Sequence, residues 1–198
     1  MKRRWSILVV DDELGVRESL RFILNSSYDI HVAADGQEAL QCLKKEKIDL
    51  VTLDLKMPGM SGNEVLKEIK KAKADIEVII ITAYGNVKNA EDAVRYGAGD
   101  FIVKPFDVAE ITAKVSRSLE RRSRTLRIRN LIHKIKAMVP RGESKAEELL
   151  QLTRSLCEIL KEERTMHTFA EEEIENFISM TDKCSQWLGM NQSRKAGN

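Results

Sequence analysis

The stretch Leu50-Val51-Thr52-Leu53-Asp54 is a short apolar run that stops at a carboxylate. Three other apolar runs also end on polar residues: Ile7-Leu8-Val9-Val10-Asp11-Asp12, Val78-Ile79-Ile80-Ile81-Thr82 and Phe101-Ile102-Val103-Lys104. Short, continuous runs rich in β-branched residues are typical of buried parallel strands. Because ligands of an open α/β sheet bind beyond the carboxyl ends of its strands, we expect these polar residues to form one site.

The region from Trp5 to about Arg121 alternates apolar runs with segments of helical periodicity, which indicates repeated βα units. Helices are predicted to begin at Asp35, Ser61 and Asp107, whose side chains can cap a helix. The predicted fold class is α/β, a flavodoxin-like (βα)5 doubly wound parallel sheet. Its strands are expected near residues 5–10, 29–33, 49–53, 76–81 and 100–103.

Three carboxylates at these strand ends predict a magnesium site. Mg²⁺ prefers a few carboxylates, retained waters and phosphate oxygens over a cage made only of protein atoms. We expect Asp12 and Asp54 to bind the ion directly and Asp11 to act through a water. The backbone carbonyl of Lys56 would complete the shell.

The same site predicts phosphoryl transfer to a carboxylate. A carboxylate beside Mg²⁺ can attack phosphorus and form an aspartyl phosphate. Asp54 is the expected phosphoacceptor, because the Pro-Gly loop after it leaves its surroundings open to a phosphodonor. Thr82 and Lys104 would stabilise the transferring group electrostatically.

Four motifs carry a resemblance to a known family: Val9-Val10-Asp11-Asp12-Glu13, Leu53-Asp54-Leu55-Lys56-Met57-Pro58-Gly59-Met60-Ser61-Gly62, Ile81-Thr82-Ala83-Tyr84-Gly85 and Lys104-Pro105-Phe106. Over its first 120 or so residues, the chain resembles the receiver domain of bacterial two-component response regulators, particularly the nitrogen-regulatory, enhancer-binding type. The resemblance implies Mg²⁺-dependent phosphorylation of Asp54 by a sensor histidine kinase. It implies no enzyme activity beyond the receiver's own phosphotransfer and dephosphorylation.

The resemblance also implies a conformational switch. Thr82 would turn toward the phosphoryl group and the ring of Phe101 would rotate inward. The face formed by residues 85–121, with the helix that follows, would then pair with a second copy as a homodimer. The peptide bond before Pro105 is expected to be cis.

The remaining chain is predicted to be helical. Ile128, Leu131, Ile135 and Met138 follow the 3-4-3 spacing of a coiled-coil seam, which Pro140 interrupts. Two further amphipathic helices are expected, from 144 to about 163 and from 170 to about 188. The predicted domains are a receiver (1–121), a linker or coiled-coil helix (122–139), a helical output region (140–190) and a disordered tail (191–198).

Three functions remain open for the helical output. Its apolar seams favour dimerisation or binding of a protein target. An RNA-binding antiterminator of the ANTAR type has a similar domain order and faint similarity around residues 135–152. A phosphorelay intermediate would use His133, which Lys136 follows as in histidine-phosphotransfer helices, although a lone histidine is usually an ordinary surface residue.

Several classes of protein are excluded or disfavoured. The chain has no Gly-rich phosphate loop, which excludes an AAA+ ATPase output, and no convincing helix-turn-helix. Asp54 is not followed two residues later by a second Asp, as a haloacid dehalogenase phosphatase requires. Three scattered cysteines indicate a reducing compartment. With neither a signal-peptide cleavage site nor a stretch of membrane-spanning length, the protein is expected to be cytoplasmic, without membrane contact.

Overall fold

The computed structural model describes residues 4–73, 75–83 and 87–138, together with Gln151, Leu152, Ser155 and Ile159. Strands and helices alternate along the first three ranges. The elements are β1 (Ser6–Val10), α1 (Leu14–Leu24), β2 (Asp29–Ala33), α2 (Gly36–Lys45), β3 (Leu50–Leu53), α3 (Gly62–Ala72), β4 (Glu77–Thr82), α4 (Val87–Arg95), β5 (Asp100–Val103) and α5 (Val108–Met138).

The five strands form one parallel sheet in the order β2-β1-β3-β4-β5. This confirms the predicted flavodoxin-like sheet. The predicted 49–53 becomes Leu50–Leu53 and the predicted 76–81 becomes Glu77–Thr82, so the strand bounds move by one residue. Central strands of such a sheet are covered on both faces, which explains why β3 is buried along its whole length.

Alternate side chains of each strand enter two separate apolar cores. Ile7 and Val9 of β1 pack in the core that contains Ile111 and Val115 of α5. Leu8 and Val10 point to the opposite face, where the core includes residues of α2 and α3. The sheet is therefore held from both sides, and its strand ends are fixed in position.

The helix starts follow the predicted capping residues. Asp35 accepts a hydrogen bond from the Glu38 backbone N–H, and Asp107 accepts one from the N–H of Ala109. Ser61 forms a reciprocal capping box with Glu64 at the start of α3. This box places the first turn of α3 directly after the loop that follows β3.

Helix α5 continues past the predicted end of the receiver, as one helix from Val108 to Met138. The contacts within the chain separate two compact units, residues 1–123 and 124–198.

Gln151, Leu152, Ser155 and Ile159 are helical. The rest of the predicted output region and tail, 140–190 and 191–198, lies outside the described residues, so the all-helical C-terminal region stays a prediction. Among the helices that are described, none has the length and apolar character needed to cross a membrane.

Candidate functional site

Four strands deliver the predicted site residues to one edge of the sheet. Asp11 directly follows β1, Asp54 follows β3, Thr82 ends β4 and Lys104 follows β5. The backbone ties these ends together. The N–H of Asp54 donates to the carbonyl of Val10 over 3.0 Å, and the N–H of Lys104 donates to the carbonyl of Thr82 over 2.9 Å.

Three carboxylates form a compact acidic cluster at this edge. One oxygen each from Asp11, Asp12 and Asp54 lie within 4.8 Å of one another. Asp11 and Asp54 are buried, whereas Asp12 is exposed. Carboxylates at this spacing repel one another, so a cation between them stabilises their ionised forms. Hard oxygen donors on one open face suit Mg²⁺, which keeps some of its waters.

Lys104 supplies positive charge to this cluster. Its Nζ lies 2.8 Å from Oδ2 of Asp11 and 3.6 Å from Oδ2 of Asp54. Burial opposes the charged amine, but the hydrogen bonds to Asp11 and Glu13 and the charges of Asp11 and Asp54 raise the pKa of Lys104 above its usual value. Burial also raises the pKa of Asp11. Lys104 is therefore an ammonium ion at neutral pH.

Glu13 also contacts this ammonium, although the sequence reasoning assigned it no role. Its Oε1 lies 3.0 Å from Nζ of Lys104, and the Glu13 side chain is 63% exposed. The available signal was the position of a third acid immediately after the pair Asp11-Asp12. A residue at that position necessarily starts from the same edge of the sheet.

The two oxygens of Asp54 differ in their surroundings. Oδ1 accepts a hydrogen bond from the backbone N–H of Leu55 over 2.7 Å. Oδ2 is the atom 3.6 Å from the Lys104 ammonium. The start of α3 supports this segment closely, because a Cβ on Gly62 would lie only 2.0 Å from the carbonyl oxygen of Asp54. Gly62 therefore leaves the space that the Asp54 backbone occupies.

The other predicted residues lie where the sequence placed them, but their roles stay predictions. Thr82 is fully buried, Phe101 is half-buried and Lys56 is exposed. The Lys104-Pro105 peptide bond is cis, as expected. Helix α4 (Val87–Arg95) lies within the predicted face of residues 85–121, and the Tyr84-Gly85 part of the third motif lies outside the described residues.

Comparison with known proteins identifies the receiver region. Residues 7–116 match the model of the response regulator receiver domain family. Sporulation initiation phosphotransferase F of Bacillus subtilis is 42% identical over 118 residues, which are 59% of this chain and 95% of that protein. Regulatory protein AtoC of Escherichia coli is 39% identical over 127 residues, which are 63% of this chain but only 27% of that protein.

The fold matches solved receiver structures as well. The response regulator TrrA from Thermotoga maritima, solved in complex with Mg²⁺ and BeF, is 40% identical to the chain with a TM-score of 0.53. The match covers 58% of this chain and 98% of that one. The family model, the parallel five-stranded sheet and the acidic edge agree. The chain belongs to the response regulator receiver domain family.

Proposed function

We propose that Asp54 accepts a phosphoryl group from the phosphohistidine of a sensor histidine kinase, and that this phosphorylation controls the output of the protein. The observation that carries the proposal is the meeting of three carboxylates within 4.8 Å with an ammonium 3.6 Å from Asp54. Several convergent roles filled at one pocket are stronger support than any single residue. Membership of the receiver family supports the same reaction.

The donor set of the acidic cluster fits Mg²⁺. Asp12 and Asp54 would hold the ion directly, Asp11 would act through a water, and the Lys56 carbonyl would complete the shell. When bound, Mg²⁺ would neutralise charge on the phosphoryl oxygens. The Mg²⁺ complex of the similar TrrA domain supports this assignment.

Asp54, Lys104 and Thr82 each have a separate proposed role in the phosphoryl transfer. Because Oδ1 of Asp54 already accepts a hydrogen bond from the Leu55 N–H, Oδ2 is the proposed attacking atom. The new oxygen–phosphorus bond forms as the phosphorus–nitrogen bond of the donor histidine breaks, and the imidazole nitrogen keeps that electron pair. The Lys104 ammonium and the Thr82 hydroxyl would stabilise the phosphoryl oxygens. We propose no enzyme activity beyond the receiver's own phosphotransfer and dephosphorylation.

Phosphoramidate, a small phosphodonor with a phosphorus–nitrogen bond, tests the proposal without a kinase. We expect the full chain with Mg²⁺ to gain one phosphoryl group by intact mass, in a linkage that hydroxylamine cleaves. Asp54→Asn should gain none. Asp29→Asn removes an exposed carboxylate of β2 that pairs with Arg4, and it should behave like the wild type. Phosphorylation of Asp54→Asn at the wild-type rate would contradict the assignment.

We further propose that the output works through dimerisation or binding of a protein target. Its support is α5, one helix from Val108 to Met138 that includes the last receiver helix and the predicted linker. Light scattering with Mg²⁺ and beryllofluoride should show a larger mass for the wild type and an unchanged mass for Asp54→Asn. An equal mass in all conditions would exclude dimerisation that depends on phosphorylation and would leave binding of a protein target as the proposed output.

The two alternative outputs keep the status of predictions. Most of the stretch that resembles an antiterminator lies outside the described residues. The side chain of His133 on α5 is exposed, which is equally typical of an ordinary surface histidine.

A further inference from the structure

The Lys104 ammonium contacts the carboxylates of Asp11, Glu13 and Asp54. Glu13 has the most exposed side chain of the three, and it is not one of the predicted site residues. Nζ lies 2.8 Å from Asp11, 3.0 Å from Glu13 and 3.6 Å from Asp54. The phosphoacceptor is thus the most distant of the three. Among the acids that hold this ammonium, the two that follow β1 have the shorter contacts.

The side chain of Glu13 takes no part in capping α1. Glu13 is the N-cap residue of α1, yet its side chain makes no capping hydrogen bond. Ser, Thr, Asp and Asn are preferred at that position because their short side chains reach the first-turn N–H groups. The backbone N–H of Glu13 does donate to Oδ1 of Asp11 over 3.0 Å, and a side-chain substitution leaves that bond in place.

We propose that Glu13 is a positioning residue that holds the Lys104 ammonium beside Asp11 in the unphosphorylated receiver and thereby slows phosphorylation of Asp54. The proposal rests on the phosphoacceptor role proposed above for Asp54. Glu13 and an incoming phosphoryl group carry the same sign of charge and compete for one ammonium. Lys104 therefore has to leave Glu13 before it can neutralise the group on Asp54.

The reaction with phosphoramidate shows where this competition acts. Phosphoramidate reacts in its N-protonated form: Oδ2 of Asp54 forms a bond to phosphorus, the phosphorus–nitrogen bond breaks, and the already protonated nitrogen leaves with the electron pair as ammonia. The phosphoryl oxygens arrive with their negative charge and attract Lys104. Any free energy that Glu13 contributes to the resting contact adds to the barrier for this step.

Three variants separate contact with Lys104 from simple charge repulsion. Glu13→Gln removes the charge. Glu13→Asp keeps the charge but shortens the side chain by one methylene, and the Asp carboxylate can cap α1 instead of reaching Lys104. Glu18→Gln removes the same charge from an exposed position on the same helix, where Glu18 pairs with Arg21 at 3.7 Å.

The first measurement is the second-order rate constant for phosphorylation by phosphoramidate at saturating Mg²⁺. We expect Glu13→Gln to be about two- to fivefold faster than the wild type, because an exposed ion pair is worth no more than that. Glu13→Asp should show most of the same gain, and Glu18→Gln should equal the wild type. A Glu13→Asp rate equal to that of the wild type would overturn the proposal, since charge alone would then explain the effect. A Glu13→Gln rate equal to or below that of the wild type would overturn it as well.

Two further readouts need no phosphodonor. The ¹⁵N signal of the Lys104 ammonium, assigned with Lys104→Arg, should move in Glu13→Gln and stay in place in Glu18→Gln. The dissociation constant for Mg²⁺ should change by less than about twofold in Glu13→Gln, within what one exposed charge contributes. A large loss of Mg²⁺ affinity would identify Glu13 as a metal ligand and overturn the proposal. If the wild type is not phosphorylated at all, the role of Asp54 fails, and the Lys104 signal still tests the contact with Glu13.

Discussion

Arg122 of α5 donates from Nε to Oδ1 of Asp49 over 3.2 Å, and only 5% and 1% of the two side chains are exposed. Oδ2 of the same carboxylate accepts the backbone N–H of Ser6 at the start of β1. Arg122 also contacts the backbone carbonyl and the carboxylate of Asp75. One buried arginine thus joins α5 to the amino ends of β1 and β3 and to the turn before β4.

Breaking this pair on one side should destabilise the receiver strongly. Arg122→Met leaves the Asp49 carboxylate buried without its cation, and we expect a loss of about 3–5 kcal/mol in the free energy of unfolding. Native-state hydrogen exchange of the β3 amides reports this loss. The double variant Arg122→Met/Asp49→Asn should recover part of it, because the fully buried charge at Asp49 is then removed as well. Arg117→Ala, at an exposed position of the same helix, should change stability by less than about 0.5 kcal/mol.

Replacing Gly62 should damage the phosphoacceptor segment. In Gly62→Ala the new Cβ meets the Asp54 carbonyl oxygen at 2.0 Å and Cα of Leu55 at 2.7 Å. Both contacts are with backbone, so either the segment after β3 or the start of α3 must shift. We expect a lower thermal midpoint and slower phosphorylation by phosphoramidate.

Gly15→Ala is the matched control for Gly62→Ala. Nothing lies within 4 Å of a Cβ at this position in α1. Alanine should therefore stabilise the helix by roughly 0.5–1 kcal/mol. A Gly62→Ala protein as stable and reactive as Gly15→Ala would refute the close approach of α3 to Asp54.

The hydroxyl of Thr52 offers a stabilising substitution. Thr52 is 1% exposed in the middle of β3, and within the described part of the chain its Oγ1 has no hydrogen-bond partner. A buried polar group without a partner costs about 1–3 kcal/mol. Thr52→Val keeps the shape and removes the hydroxyl, so we expect an increase of about 1 kcal/mol in the free energy of unfolding. Thr52→Ala should instead destabilise the protein, because it leaves a cavity.

The capping box of α3 should make stability depend on pH. Hydrogen bonds from the side chain and backbone of Ser61 lower the pKa of Glu64 below its usual 4.5. A carboxyl group whose pKa is lower in the folded state stabilises that state above its unfolded pKa. The contribution is lost as the pH falls through the folded pKa. The urea midpoint of the wild type should therefore exceed that of Glu64→Gln at pH 7, and the gap should close in acid. A difference between the two urea midpoints that stays constant from pH 7 into acid would contradict an ionised Glu64 in the capping box.

The sheet and most of its acidic edge were predictable because their causes are local in the sequence. A polar residue directly after a continuous apolar run is typical of a strand end, which places Asp54 and Lys104 without knowledge of the tertiary structure. Arg122 was different. It is one of five arginines between residues 121 and 129, yet it lies three residues after the buried Leu119 and so continues the inward face of α5. What that face meets at Asp49 depends on tertiary packing.

The contact of Glu13 was hidden for a related reason. Whether an acid after the pair Asp11-Asp12 turns to solvent or toward Lys104 depends on β5, which lies some 90 residues away in the chain. The contact of 3.0 Å between Glu13 and Lys104 results from the folded arrangement of β1 and β5, and the sequence alone does not predict it.

Strand β3 carries a carboxylate at each end, Asp49 before it and Asp54 after it. At about 3.3 Å per residue, these two acids stand roughly 17 Å apart along the strand. Charges at that separation couple weakly, and distant substitutions usually add in free energy. The receiver can thus adjust how firmly α5 is anchored without altering the chemistry of its phosphoacceptor, and stability and reactivity can change as independent traits.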